Sequence, residues 1–516
     1  MNNSPTGILF FFLDQLSARW LEAAGDRLPL PNFRRLQQRG TTFSNAITSN
    51  PVCCPARATV ATGLTSRQHG VLENGYQLDP ALPTFMRTLQ DAGWRTGAFG
   101  KVHFHPHFAG LYPDYKPYGF DVTHITEDPR GGEWLDWVER EHPEHYDAAL
   151  ATVWAPGVPE FASYGPKKSN LCERIEQARS SFQWSTDEFP DNEASAHSLP
   201  FPEEVSQTAW ITGHALDFLR DLPPQQRFLA HVSYVQPHGP YCPPAEYLRL
   251  VDRDNLPEPV PAEWLEDPHA PAYFDGKQPS KGNWRHVRRC YFADLIHLDH
   301  QLGLILEQLE TMKRLESTTI ILLADHGDLL DDHGCYGKEE RHYDACIRVP
   351  LIIAGPGLQS GQTRTEMVQL EDICPTVLDL TGASLPPMPK AGPYLKMDAA
   401  DIPQLPGRSL LPLCRGETPA DWRKAAYCES YNRISSADPG DWARTIRTER
   451  YRYTMYPCGN GEQLFDLQDD PDEQTNLVAD PAHARIRSEL RNQLLELIII
   501  QDYPKSRRQL YASGVH

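Results

Sequence analysis

Residues 8–15 read Ile8-Leu9-Phe10-Phe11-Phe12-Leu13-Asp14-Gln15: six apolar residues without a break, then a carboxylate and a carboxamide. A run this short and this uniformly apolar suits a strand buried on both faces of a parallel sheet. No basic residue precedes it, and it is too short for a secretion signal or a membrane span. Three more segments have the same form. Arg95 to Gly100 is followed by Lys101 and His103, Phe228 to Val235 by Gln236, Pro237 and His238, and Thr318 to Ala324 by Asp325 and His326. Helical apolar spacing recurs between them, over Pro31 to Arg39, Leu82 to Ala92, Ser206 to Leu222 and Tyr291 to Met312. This β-α-β-α order predicts an α/β fold with a doubly wound, mostly parallel central sheet. Ligands of such sheets bind beyond the carboxyl ends of the strands, and all four polar clusters fall at that edge.

The chain has 516 residues, too many for one ordinary core. We expect a catalytic α/β domain over 1–385, with insertions near 104–205 and 239–284, and a linker over 386–420. A small C-terminal α+β lobe over 421–500 and a tail over 501–516 would follow. The first insertion carries Trp134, Trp137, Trp154 and Trp184; stretches placed like these two usually set specificity, although ordinary surface loops with structural tryptophans fit equally. In the tail, Lys505, Arg507 and Arg508 either reach a neighbouring subunit of a homo-oligomer or fray. The net charge of −20 argues against nucleic acid as a partner, and an anionic ligand would need a locally positive pocket. Eleven scattered cysteines with no CxxC pair argue against a disulfide scaffold and a structural zinc site. With no long apolar segment, the expected location is the cytoplasm, without a membrane partner.

The most informative segment is Pro51-Val52-Cys53-Cys54-Pro55-Ala56-Arg57-Ala58-Thr59-Val60-Ala61-Thr62-Gly63. Pro55 suits the first turn of a helix and Gly63 its end. Cys53 then sits at a helix N-terminus, where backbone N–H groups favour an anion, and Arg57 follows one turn later on the same face. Taken alone, the segment also fits a buried thiol pair with a surface arginine.

The pattern Cys53-x-Pro55-x-Arg57 with Gly63 resembles the signature of the type I, formylglycine-dependent sulfatases of the alkaline phosphatase superfamily. Gly100-Lys101-Val102-His103, Pro237-His238-Gly239-Pro240, Asp325-His326-Gly327, Lys338 with Arg348-Val349-Pro350-Leu351, and Leu464-Phe465-Asp466-Leu467 resemble further stretches of that family. The resemblance implies hydrolysis of a small-molecule sulfate monoester, with Cys53 oxidised to formylglycine by a separate formylglycine-generating or sulfatase-maturating enzyme. It implies a divalent metal held by Asp14, Gln15, Asp325, His326 and the modified residue 53. Oxygen donors favour Ca²⁺, with Mg²⁺ or Mn²⁺ as alternatives. Lys338 and His238 would hold the sulfate and protonate the leaving oxygen. Lys101 and Arg57 would hold the hydroxyls of the hydrated aldehyde, and His103 would take a proton from one of them. Asn74 resembles a substrate-binding position at the pocket floor, although Asn74-Gly75 also reads as a turn. Gln15 and His326 stand where many sulfatases have Asp and Asn. Here the chain is more similar to choline sulfatases and to phosphonate monoester hydrolases. A phosphonate monoester or phosphodiester hydrolase on the same scaffold is therefore the alternative, and a non-catalytic binding protein a remote one.

Overall fold

A computed structural model describes residues 4–106, 110–154, 157–165, 168–270, 283–338, 341–385, 405–431, 442–459 and 461–501. The strands of the main sheet are β1 (Gly7–Leu13), β2 (Thr41–Ile47), β3 (Arg95–Gly100), β4 (Val122–Ile125), β5 (Phe228–Tyr234), β6 (Thr318–Ala324), β7 (Arg348–Ala354), β8 (Gln362–Arg364) and β9 (Val368–Gln369). They lie in the order β4-β3-β5-β1-β6-β7-β2-β8, with β9 also pairing with β2. Pairs from β4 through β6 are parallel, and β7 runs against both of its neighbours. The mostly parallel sheet is therefore as expected, and the four predicted strands are β1, β3, β5 and β6.

Every residue of β1, β5 and β6 is buried. That is why these strands read as unbroken apolar runs: helices cover both faces, so no face alternates. The helix Trp284–Thr311 buries most of its length and begins earlier than its apolar spacing predicts. Arg288, in its first turns, reaches the Leu330 carbonyl and Asp332, which gives a charged side chain a buried partner.

Register fixes the site. Leu13 lies opposite both Tyr234 and Ala324, so the chain leaves β1, β5 and β6 at one level of the sheet. Gly100, at the end of β3, has φ +89, and a Cβ there would lie 2.0 Å from the Ser233 carbonyl. Only glycine lets the chain turn so close to β5 and deliver Lys101 to the same edge.

The C-terminal lobe is an antiparallel sheet of β10 (Ala425–Ser430), β11 (Ala443–Thr448), β12 (Tyr451–Met455) and β13 (Glu462–Asp466), in that order. The helix Ala484–Gln501 packs on it through Leu490 and Leu494, against Tyr427, Ile446 and Tyr453. The lobe meets the main body at buried polar contacts. His342 lies between Thr445 Oγ1 at 2.7 Å and Ser430 Oγ at 3.0 Å, and Glu429 N–H donates to the Ser49 carbonyl at 2.8 Å. Residues 386–404 of the expected linker, 271–282 of the second insertion and 502–516 of the tail, with Lys505, Arg507 and Arg508, lie outside the described residues. Among the described residues, no helix is long and apolar enough to cross a membrane. All eleven cysteines are unpaired, as expected.

Candidate active site

The helix Cys53–Thr62 starts at the sheet edge, and all its residues are buried. Val52 is extended, so the chain enters the helix sharply at Cys53, and Gly63 ends it with φ 70. Asn74 Oδ1 accepts from Cys54 N–H at 2.9 Å, satisfying a helix-start donor that would otherwise be orphaned. Asn74 thus sits at the first turn of this helix, where it fixes residue 53.

Around the Cys53 sulfur three of the expected residues converge. His326 Nε2 is 3.2 Å away, Lys338 Nζ 2.8 Å and Asp14 Oδ1 3.8 Å. One donor atom each from Asp14, Cys53, Asp325 and His326 falls within 4.8 Å of the others. Arg57 Nε donates to Asp325 Oδ2 at 2.8 Å, and its Nη1 donates to Ser233 Oγ and the Lys101 carbonyl, each at 2.9 Å. The Phe12 ring lies 4.5 Å below the same guanidinium.

Lys101 is fully buried. Its ammonium contacts Asp14 and is gripped by Asp128 at 2.6 and 2.7 Å. Gln15 has φ 65, sparsely populated by non-glycine residues. Its backbone N–H donates to Asp325 Oδ1 at 3.0 Å and its side-chain amide nitrogen contacts Asp328. Because a carboxylate must receive the NH₂ end, the amide oxygen points away from Asp328. His103 also has a left-handed φ, 55, and is buried, with its N–H on Glu127 Oε1 at 3.0 Å.

Charge states follow from this packing. Burial would raise the Asp14 carboxyl, but Lys101, His238, Arg57 and Lys338 together hold it well below the usual range. Burial pushes His326 down to about 3, so its ring is neutral. Its Nδ1–H donates to the Gly327 carbonyl at 3.0 Å, which leaves the Nε2 lone pair facing Cys53 and the two aspartates. Burial opposes the Lys338 charge, but Cys53 and then Asp14 raise its pKa, so it is an ammonium. Burial and then Lys338 push His238 down. Its Nδ1 lies 2.6 Å from the Gly239 carbonyl, so Nε2 is the nitrogen left to take up and release a proton. Burial and then Asp14 push the Cys53 thiol up to about 11. At that value an unmodified Cys53 is a protonated thiol and a poor nucleophile.

The sequence reading does not single out Asp128, Asp328, Glu127 or Ser233. Glu127-Asp128 follows the β-branched run of β4, so the signal that marked the other strand ends was present, in a weak four-residue strand. Above the centre opens a cavity of about 630 Å³, bordered by Gln15, His238, Lys338, Trp154, Arg179 and Arg341 among others. Trp154 and Arg179 belong to the stretch read from sequence as the first insertion.

The chain is similar to known proteins over most of its length. Residues 7–383 match the family model described as Sulfatase, and residues 331–499 match that of N-sulphoglucosamine sulphohydrolase, C-terminal. A choline-sulfatase of Rhizobium meliloti is 28% identical over 93% of this chain and 84% of its own. An arylsulfatase of Clostridium perfringens is 26% identical over 91% of this chain and 90% of its own. The solved phosphonate monoester hydrolase of Agrobacterium radiobacter superposes with a TM-score of 0.74 at 24% identity, covering 96% of each chain; that likeness speaks for the fold.

Proposed function

The chain belongs to the sulfatase family, and from that membership we propose that it cleaves its sulfate monoester at residue 53 in formylglycine form, beside a divalent cation. It is a sulfuric ester hydrolase. The observation carrying the finer reading is the meeting of Cys53 with Asp14, Asp325, His326 and Lys338, delivered by separate segments to one buried point.

The donor set fits a hard cation: two carboxylates, an amide oxygen and one unprotonated imidazole nitrogen. Asp14, Gln15, Asp325 and His326 would hold it, with Ca²⁺ preferred and Mg²⁺ or Mn²⁺ as alternatives. Such an ion supplies positive charge against the charge developing on the transferring group. The hydrated aldehyde supplies one hydroxyl for attack on sulfur and a second whose deprotonation lets the carbonyl return as sulfate leaves. The remaining work belongs to the chain. Arg57 holds Asp325 in place, and Lys101 keeps Asp14 ionised. Asn74 holds the helix start so that residue 53 faces the centre. Lys338 and His238 hold the sulfate and pass a proton to the leaving oxygen, and His103 takes the proton from the second hydroxyl. A formylglycine-generating or sulfatase-maturating enzyme is the required partner. Eleven unpaired thiols suit a reducing compartment, and we place the enzyme in the cytoplasm.

The test begins with the mass of the peptide containing residue 53, which is lighter than the cysteine form when the aldehyde is present. The same preparation should release sulfate from an aryl sulfate, lose that activity on chelation and regain it with Ca²⁺. Gln15 and His326 favour the second reading, a phosphonate monoester hydrolase, whereas Lys101, within the Gly100-Lys101-Val102-His103 stretch that resembles the sulfatases, favours sulfate. A higher kcat/KM on an aryl phosphonate than on the matched sulfate would decide for the second.

A further inference from the structure

The cavity above the centre has room for more than a sulfate group. Lys338 and His238 border it beside Cys53, and Arg179 and Arg341 contribute two further cations. Among the described residues lining it there is no aspartate or glutamate, although the chain as a whole carries a net charge of −20. Cations in the described wall of a cavity set into so acidic a molecule are a selective feature, since the surface field opposes any anion that approaches.

Position sharpens this. The Arg179 Nη1 donates to the Val153 carbonyl, which fixes the guanidinium. The next residue, Trp154, meets the His238 ring edge-on at 5.7 Å. Burial and then Arg130 both oppose the Arg179 charge, so the guanidinium has reason to accept an incoming anion. One short segment therefore links the sulfate end of the cavity to Arg179. Resting on the sulfatase reading above, we propose that the preferred substrate is a sulfate ester whose alcohol portion carries a second negative group, a carboxylate or another sulfate, received by Arg179. The body of that alcohol lies along Trp154. A quaternary ammonium alcohol would instead bring its charge towards arginine, with no carboxylate among the described lining residues to meet it.

The test uses full-length enzyme with the aldehyde at residue 53 confirmed by mass. Its substrates are 3-carboxyphenyl sulfate, the matching carboxamide and choline sulfate; the first two differ in charge far more than in leaving-group acidity. We expect kcat/KM on the carboxylate to exceed that on the carboxamide by at least about tenfold, the worth of one charge-assisted hydrogen bond. Choline sulfate should be the slowest. Arg179→Gln should lower turnover of the carboxylate at least about tenfold more than that of the carboxamide, and Arg179→Lys should keep part of the preference. Equal rates in the wild type, a preference that survives Arg179→Gln, or choline sulfate as the fastest substrate would each overturn the proposal while leaving the sulfatase reading intact. Absence of sulfate release from all three would remove that reading, and this one with it.

Discussion

Asp128 closes both carboxylate oxygens on the Lys101 ammonium, at 2.6 and 2.7 Å, while the same ammonium contacts Asp14. Lys101 is thereby a buried cation shared by two carboxylates, and only one of these belongs to the proposed cation-binding set. Burial would lower the Lys101 pKa, but Asp128 and then Asp14 raise it well above its usual value.

Asp128→Asn keeps the shape of that contact and removes one of its charges. Lys101 then draws on Asp14 alone and would compete with the proposed cation for the same carboxylate. We expect a loss of about 3 kcal/mol in stability, the usual cost of breaking a buried ion pair from one side. A higher Ca²⁺ concentration should be needed for half-maximal activity. Denaturant unfolding and a Ca²⁺ titration of chelated enzyme measure the two effects, and an unchanged Ca²⁺ requirement would show that Asp128 does not act through Asp14.

Cys53→Ser, produced without a maturation enzyme, offers a single hydroxyl at the attacking position. It has no second hydroxyl to re-form a carbonyl, so sulfate cannot be expelled by that route. The expected product is a sulfated serine after at most one turnover, seen by intact mass. Multiple turnover at the wild-type rate would defeat the formylglycine reading.

Lys338→Met and His238→Gln should lower kcat/KM by about 10²–10⁴-fold if these residues protonate the leaving oxygen. The loss should depend on the alcohol. Alkyl sulfates, whose alkoxides need a proton, should suffer far more than 4-nitrophenyl sulfate, whose phenolate leaves unaided. A series of aryl sulfates of graded phenol acidity would reveal this as a steeper dependence in the variants. An equal loss across the series would restrict both residues to sulfate binding.

His342 carries a pH effect located away from the site. Burial, then Arg452 and Arg444, hold its pKa well below 6.5. The folded state keeps it neutral while the unfolded chain takes up a proton below about pH 6.5. Its contribution is therefore intact above that pH and is lost as the pH falls. From pH 7.5 to 5.5 the expected loss is about 1.4 kcal/mol from this residue, by linkage. His342→Gln cannot titrate, so its stability should fall by that much less over the same interval. Parallel profiles for the two proteins would sink the assignment.

What could be read in the sequence was set by local pattern. β1, β3, β5 and β6 were legible because each is an apolar run with polar residues behind it, and burial on both faces enforces that pattern. The Cys53 helix was legible through Pro55 and Gly63. By contrast, β2 alternates buried and half-buried residues, and β7 carries Pro350 near its start, so neither shows the same signature. Asp128 and Arg179 were hidden for a different reason. The grip on Lys101 spans a separation of 27 residues, and the place of Arg179 in the cavity wall depends on how the 104–205 stretch folds over the sheet edge. Contacts of that kind leave no periodic mark in the chain.

The complete burial of Cys53 sets a deadline. Its sulfur lies against Lys338 and His326, contacts that belong to the finished fold. On the formylglycine reading, a modifying enzyme would reach that sulfur only while the chain is still being made or before it closes. A molecule that folded first would then be sealed in its unmodified form, and the stability that keeps it intact would also keep it from being corrected. Specific activity would then report how folding and modification compete in the producing cell, as much as it reports the chemistry of the site.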